Sequence, residues 1–348
     1  MNGWDREYLQ NKESYQLLFD NIMIREQEAN VEFLEESIKK IVNRKYVVAV
    51  NSGTDALHFS LLSHNIKKGD EVLVTNFSWI STAACISMVD ATPVFCDIDL
   101  NTYHMSLESI KRMYSDKTKA IIYPQLFGNV SDTKDIVEFC KEKNIIFIED
   151  ACQSIGAKQA GTIGHCSAFS FAANKPIAGI AGGGAFLTDD EEKANTVKKL
   201  RRMGKGDDFE ILGRNSKMLL FNAEVINFRL KKLKIFENKR QSIARSFNRE
   251  LKSLPIITQE NPNHIYSKYV IRFNDKKTRD IIKEKLNVQI HYDKPISENS
   301  MYQNISYRKD NCKNTQLVCD TILSISNHPW LTLEETTKIL TTIYEYNY

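Results

Sequence analysis

The sequence predicts an α/β protein: a large domain built on a mostly parallel sheet, followed by a smaller C-terminal α+β domain. Three observations carry this. Short Val- and Ile-rich runs alternate with amphipathic ones through the first half of the chain. A long, charged amphipathic stretch from about 222 to 253 then ends the alternation. The chain has 348 residues, 42% of them hydrophobic and 26% charged, which is globular composition with enough length for two domains.

Each element follows from its residues. YVVAV (46–50), EVLVT (71–75), TPVFCDI (92–98), AIIYPQ (120–125) and IIFIED (145–150) read as strands, rich in residues that fit a sheet buried on both faces. Between them TDALHFSLL, SWISTAACISMV, MSLESIKRMY and DTKDIVEFCKEK read as helices. HCSAFSF and GGAFLTD add two more strands around a Gly-rich loop, and EEKANTVKKLRRMG reads as a helix. The stretch from Asn222 to Ser253 is expected to be one helix, its mixed charges forming a solvated face. A loop, LPIITQENPNH, leads into the strand YSKYVIRF, and LTLEETTKILTTIY closes the chain as a helix. The expected division is 1–233 for the large domain and 234–348 for the small one, with the connecting helix included in the latter.

Several classes of function are disfavoured. Lys and Arg number 47 against 44 for Asp and Glu, a net charge of +3, so no basic excess points to nucleic acid. No apolar run approaches a membrane span, and the polar N-terminal residues do not resemble a targeting segment. The seven cysteines form no CxxC pair and lie mostly in apolar stretches, as expected for reduced thiols in a cytoplasmic protein without a structural metal.

Four segments at strand ends can carry chemistry, because ligands of open α/β sheets sit there. In NSGTDALH (51–58), Ser52 or Thr54 can cap a helix, and Gly53 leaves its first amides open to an anion such as phosphate. An ordinary N-cap would look the same. IEDACQSIGA (148–157) sets Asp150 and Gln153 beyond an apolar strand, where a carboxylate needs a cap or a cationic partner. In FSFAANKPIAGIAGGG (169–184), Lys175 follows a strand, five residues after Ser170 and ahead of three consecutive glycines. Trp79 in NFSWISTA either packs in the core or covers a flat heterocycle. Lysine, carboxylate, aromatic plate and phosphate cradle together are the requirements of pyridoxal 5'-phosphate.

These segments, with GDEVLVT, ATPVFCDIDLNTY and AGGGAFLTDD, resemble the DegT/StrS-type nucleotide-sugar aminotransferases in order from about Asn51 to Arg240. IHYDKP and ILSISNHPWLT extend the resemblance to the end. It implies the aspartate-aminotransferase-like fold type I of pyridoxal-phosphate enzymes. It further implies that Lys175 forms the Schiff base and shuttles the proton, Asp150 pairs with the pyridinium nitrogen and Gln153 meets the ring hydroxyl oxygen. Trp79 would stack on the ring, and Gly53, Thr54 and Ser170 would hold the phosphate. Asn215, in GRNSK (213–217), would reach a neighbouring subunit's cofactor in a homodimer with shared sites, and His291 and Tyr292 would lie near the sugar. The implied reaction moves an amino group, with glutamate as donor, onto a nucleotide-linked 3-keto or 4-keto sugar, passing through pyridoxamine 5'-phosphate. In the family, a sugar dehydratase has His in place of the lysine, which Lys175 disfavours. A non-catalytic sugar-nucleotide binder is disfavoured by the intact Lys, Asp and Gln. The chain departs from the family pattern at Pro176, which directly follows Lys175, at Lys217, where Arg is common, and in a short lead-in without a Gly-rich entry.

Overall fold

The structure, a computed structural model, describes residues 3–22 and 27–346. Eleven strands run through it: β1 (Tyr46–Val50), β2 (Glu71–Thr75), β3 (Thr92–Cys96), β4 (Thr118–Pro124), β5 (Ile146–Asp150), β6 (Cys166–Ser170), β7 (Gly184–Thr188), β8 (Ile257–Thr258), β9 (Tyr269–Arg272), β10 (Arg308–Lys309) and β11 (Ile322–Ile325). The large sheet has eight strands in the order β1-β7-β6-β5-β4-β2-β3-β10, and β8, β9 and β11 form a separate antiparallel sheet. In the large sheet β7 runs antiparallel to both β1 and β6, and the other pairings are parallel. This is the mixed, mostly parallel sheet of fold type I.

Burial explains the strand composition. β2, β6 and β7 are buried at every residue, and helices on both faces supply three cores, two of which flank β1, β6 and β7. One packs Val48, Val74, Ile122 and Ile148 against the helix Gly53–Ser63. The other packs Val47, Phe169 and Leu187 against the helices Gln27–Val42 and Leu220–Leu230. Burying such side chains contributes about 1.5–3 kcal/mol each, so the sheet has a strongly preferred register. That register aligns functional ends: Val50 and Ser170 both face Gly184 across β7, and Asp150 pairs with Ala168 of β6.

Two elements differ from the sequence reading. The stretch 222–253 is two helices, Leu220–Leu230 and Leu233–Leu251, broken at Lys231 and Lys232. Lys232 leaves helical geometry at φ −103°, ψ 2°, so the first helix keeps Ile226 and Leu230 on the large core while the second carries Phe247 and Leu251 into the C-terminal core. The lead-in is helical as well, with helices Gly3–Gln10, Lys12–Ile22 and Gln27–Val42. The C-terminal part also returns to the large sheet. β10 pairs in parallel with β3, and Ile296 and Tyr302 join the core that holds Val74 and Phe95.

Candidate active site

The carboxyl ends of β1, β5 and β6 open onto one cavity of about 650 Å³. Gly53, Thr54, Trp79, Asp150, Gln153, Ser170, Lys175, His291 and Tyr292 all line it, although the chain separates Gly53 from Tyr292 by most of its length. Asn215 does not line it and is exposed.

The floor is built from strand ends. Ser52 caps the helix Gly53–Ser63 by accepting the Asp55 N–H at 3.0 Å. Gly53 follows in the first turn, where amides lack intrahelical partners and the helix dipole favours an anion. A Cβ at Gly53 would lie 2.7 Å from Ser170 Cβ and 3.0 Å from Cys152 Sγ, so the close approach of these segments requires glycine. The Thr54 hydroxyl donates to Ser81 Oγ at 2.9 Å, joining the cradle to the turn that carries Trp79. Trp79 itself is 57% exposed, which rules out core packing and leaves its ring free to cover a ligand.

Asp150 ends β5 and is only 6% exposed. Its carboxylate accepts from Thr82 Oγ1 at 2.8 Å and from the Cys152 N–H at 3.2 Å, which fixes both oxygens without a cationic neighbour. A buried carboxylate held this way is ready for a positively charged ligand atom. Thr82 was not singled out from sequence; its signal was its place three residues after Trp79, one helical turn along. Gln153 is clamped from both ends: Oε1 accepts the Phe127 N–H at 3.0 Å, and Nε2 donates to the Tyr292 hydroxyl at 3.0 Å. Burial pushes the Tyr292 phenol up, so it stays protonated.

Lys175 sits in the loop after β6. The loop is folded back by the Phe171 N–H to Gly183 at 2.9 Å and the Lys175 N–H to Ala172 at 2.9 Å. Trp4 Nε1 donates to the Ala173 carbonyl at 3.1 Å from above. Pro176 is buried and lies outside the cavity lining, which ends at Lys175 on this stretch of the loop. On the opposite wall, His291 Nδ1 lies 2.8 Å from Ser324 Oγ. Burial, with Lys268 and Lys175 nearby, lowers His291 to about 4, so its ring is neutral near pH 7.

The segment 213–217 is anchored beside the cradle. Arg214 pairs with Asp55, Ser216 Oγ donates to Asp55 at 2.6 Å, and the Asn51 N–H reaches Ser216 Oγ at 3.1 Å. Among the described residues no three His, Cys, Asp or Glu side chains gather as metal ligands, and no helix is long and apolar enough to cross a membrane.

The model of the DegT/DnrJ/EryC1/StrS aminotransferase family matches residues 10–344. The chain belongs to that family. It is therefore an aminotransferase that uses pyridoxal 5'-phosphate. The chain is 28% identical to the dTDP-3-amino-3,6-dideoxy-alpha-D-galactopyranose transaminase of Aneurinibacillus thermoaerophilus, over 91% of this chain and 90% of that protein. It is 28% identical to the UDP-2-acetamido-2-deoxy-3-oxo-D-glucuronate aminotransferase of Pseudomonas aeruginosa, over 86% and 85%. The Bacillus subtilis protein ntda, solved with bound cofactor PMP, superposes with a TM-score of 0.90 at 24% identity, covering 97% of this chain and 82% of that one. Both of these named relatives, the transaminase of Aneurinibacillus thermoaerophilus and the aminotransferase of Pseudomonas aeruginosa, are nucleotide-sugar aminotransferases. The cavity is compatible with a flat, phosphorylated pyridine: an anion cradle at one end, a buried unpaired carboxylate at another, and an amine between them.

Proposed function

We propose that this enzyme transfers an amino group from L-glutamate to a 3-keto or 4-keto deoxyhexose carried on a nucleoside diphosphate, in surface-glycan or related amino-sugar biosynthesis. The observation that carries the reading is the meeting of Lys175, Asp150 and the Gly53–Ser170 cradle in one cavity. When bound, pyridoxal phosphate supplies an electron sink for breaking the bond between hydrogen and the nitrogen-bearing carbon.

In this reading each residue has one task. The amides at Gly53 and Thr54, with the Ser170 hydroxyl, bind the phosphate. Asp150, held by Thr82 and Cys152, keeps the ring nitrogen protonated. Gln153 orients the ring hydroxyl oxygen, and Trp79 covers the ring face. Lys175 Nζ takes a proton from the donor's carbon in one half-reaction and returns one to the sugar's carbon in the other. His291 and Tyr292 border the space left for the sugar.

The cradle also supports a homodimer with shared sites. Asn215 does not line its own cavity, and Phe209, Leu212 and Leu219, close to it in sequence, are exposed apolar residues. A two-fold partner seated there would bring Asn215 to its neighbour's phosphate cradle.

Incubating holoenzyme with glutamate and a panel of nucleotide-linked 3-keto and 4-keto sugars, and identifying products by mass and NMR, tests the reaction. An aminated sugar with 2-oxoglutarate released in equal amount is expected; release of water from the sugar without amination would overturn it. Mixing Lys175→Ala with Asn215→Ala subunits tests the shared site, with activity expected to rise above either parent.

A further inference from the structure

A second cavity of about 510 Å³ opens off the Lys175 loop on the side away from the phosphate cradle. It shares Lys175, Lys268 and His291 with the first cavity and adds Arg229 and Arg240. Four cationic side chains line it, and no carboxylate does.

Arg229 is neutralised within the fold. Its Nη2 pairs with buried Glu7 at 2.7 Å, its Nη1 donates to the Ala178 carbonyl at 2.8 Å, and the Trp4 ring lies 3.9 Å from its guanidinium carbon. Arg240 and Lys268 are different. Arg240 is only 8% exposed, and among the described residues neither side chain has an ion-pair or hydrogen-bond partner. The two acids closest in effect are already engaged: Glu7 holds Arg229 and the Tyr15 hydroxyl, and Glu237 holds Lys234 at 3.0 Å.

Leaving two cations unneutralised beside a lysine that must be neutral to react is costly unless an anion completes the site. We propose that Arg240 and Lys268 form a carboxylate subsite beside Lys175, which binds the carboxylate of a substrate during amino transfer. The inference rests on the aminotransferase reading above. A planar guanidinium and an ammonium together match a carboxylate's two oxygens. The charge state agrees: burial, then Lys175 and Arg240, lower Lys268 to about 8, so it remains mostly cationic near pH 7 and gains from a counter-ion.

The position selects a carboxylate over a phosphate. The reacting carbon has to lie at Lys175, and an amino acid's α-carboxylate is one bond from that carbon. A sugar's diphosphate hangs from the anomeric carbon, farther along the ring, and leads toward the nucleotide. Two sources share the carboxylate chemistry: the amino-acid donor, and an acceptor sugar whose terminal carbon is a carboxylate.

The test uses holoenzyme and glutarate, a dicarboxylate that cannot transaminate. In equilibrium dialysis, Lys268→Met is expected to weaken glutarate binding roughly tenfold or more, the loss typical of a charge-assisted contact. Lys268→Arg should restore most of it, and Arg240→Lys, which keeps the charge but loses the planar fork, should weaken it by a smaller factor. Half-reactions then locate the source. A KM for L-glutamate that rises in step, with kcat changed far less, assigns the subsite to the donor. A rise confined to a nucleotide-linked keto-hexuronate assigns it to the acceptor. Unchanged glutarate affinity in both Lys268→Met and Arg240→Lys overturns the proposal, as does an equal KM loss for an uncharged keto-sugar. If wild-type enzyme aminates no sugar yet binds glutarate in a Lys268-dependent way, the sugar reading fails while the subsite stands.

Discussion

The two walls of the cavity are built on opposite terms. On the strand-end wall the polar side chains that face the ligand are already fixed by the fold: Asp150 by Thr82 and the Cys152 amide, Gln153 by the Phe127 amide and Tyr292. On the C-terminal wall Lys268, and beyond it Arg240 in the adjoining second cavity, have no such partners among the described residues. Groups fixed in advance reorganise little during a reaction, which suits a cofactor that stays through many turnovers. Unneutralised groups suit a ligand that arrives and leaves, because each arrival completes them.

The comparison can be broken at several points. Lys175→Ala should lower turnover by a factor on the order of 10⁴ while cofactor remains in the dialysed protein, as measured by absorbance. Borohydride should attach the cofactor to the peptide containing Lys175, and a label on any other lysine would reassign the strand-end wall. Asp150→Asn keeps the shape and one acceptor oxygen but removes the charge. Both half-reactions should slow by about 10²–10³-fold, and single-turnover rates near wild type would reduce Asp150 to a packing residue. Gly53→Ala forces a Cβ against Ser170, 2.7 Å away, and should weaken cofactor binding roughly tenfold. Retained affinity would show that the cradle can widen.

The smallest effect concerns acid stability. All seven histidines are shifted downward, with burial as the largest cause; His104 falls to about 4 and His264 to about 3. A histidine with a depressed folded pKa contributes stability that is fully present above its unfolded value of about 6.5. That stability is lost as pH falls toward 4, because the unfolded chain takes up protons first. Glu149, raised to about 7 by burial, acts with the opposite sign and offsets part of the loss. Urea midpoints should therefore fall between pH 6.5 and 4, and His104→Gln should flatten that slope. A midpoint independent of pH over this range would contradict the burial of these rings.

The strands and the residues that meet at their ends in the first cavity were legible because each depends on local pattern. A buried strand of this sheet reads as a short Val-rich apolar run, as in Tyr46–Val50 and Glu71–Thr75, and strand-end chemistry falls directly after it. The C-terminal wall was not legible. Lys268 lies inside what reads as an ordinary strand, YSKYVIRF, and only the fold shows that β9 begins at Tyr269 and leaves Lys268 facing the cavity. Arg240 was one cation among many on a helix whose mixed charges suggest a solvated face, yet it is buried. The break at Lys232 carries no Gly or Pro, so periodicity continued through it. The N-terminal helices were missed because they hold to the body through distant partners, such as Arg6 with Glu335 and Glu7 with Arg229.

The return of the chain at β10 also sets an order of assembly. Residues near 300 supply Ile296 and Tyr302 to the first sheet's core, and Asn76 is tied to the Ser297 backbone and side chain at 2.8 and 3.0 Å. These contacts span more than 200 residues of sequence, and closing so long a loop is entropically costly and slow. During synthesis, β3 therefore remains an uncovered sheet edge until most of the chain has left the ribosome, and that interval is when the growing chain is most open to pairing with a neighbour.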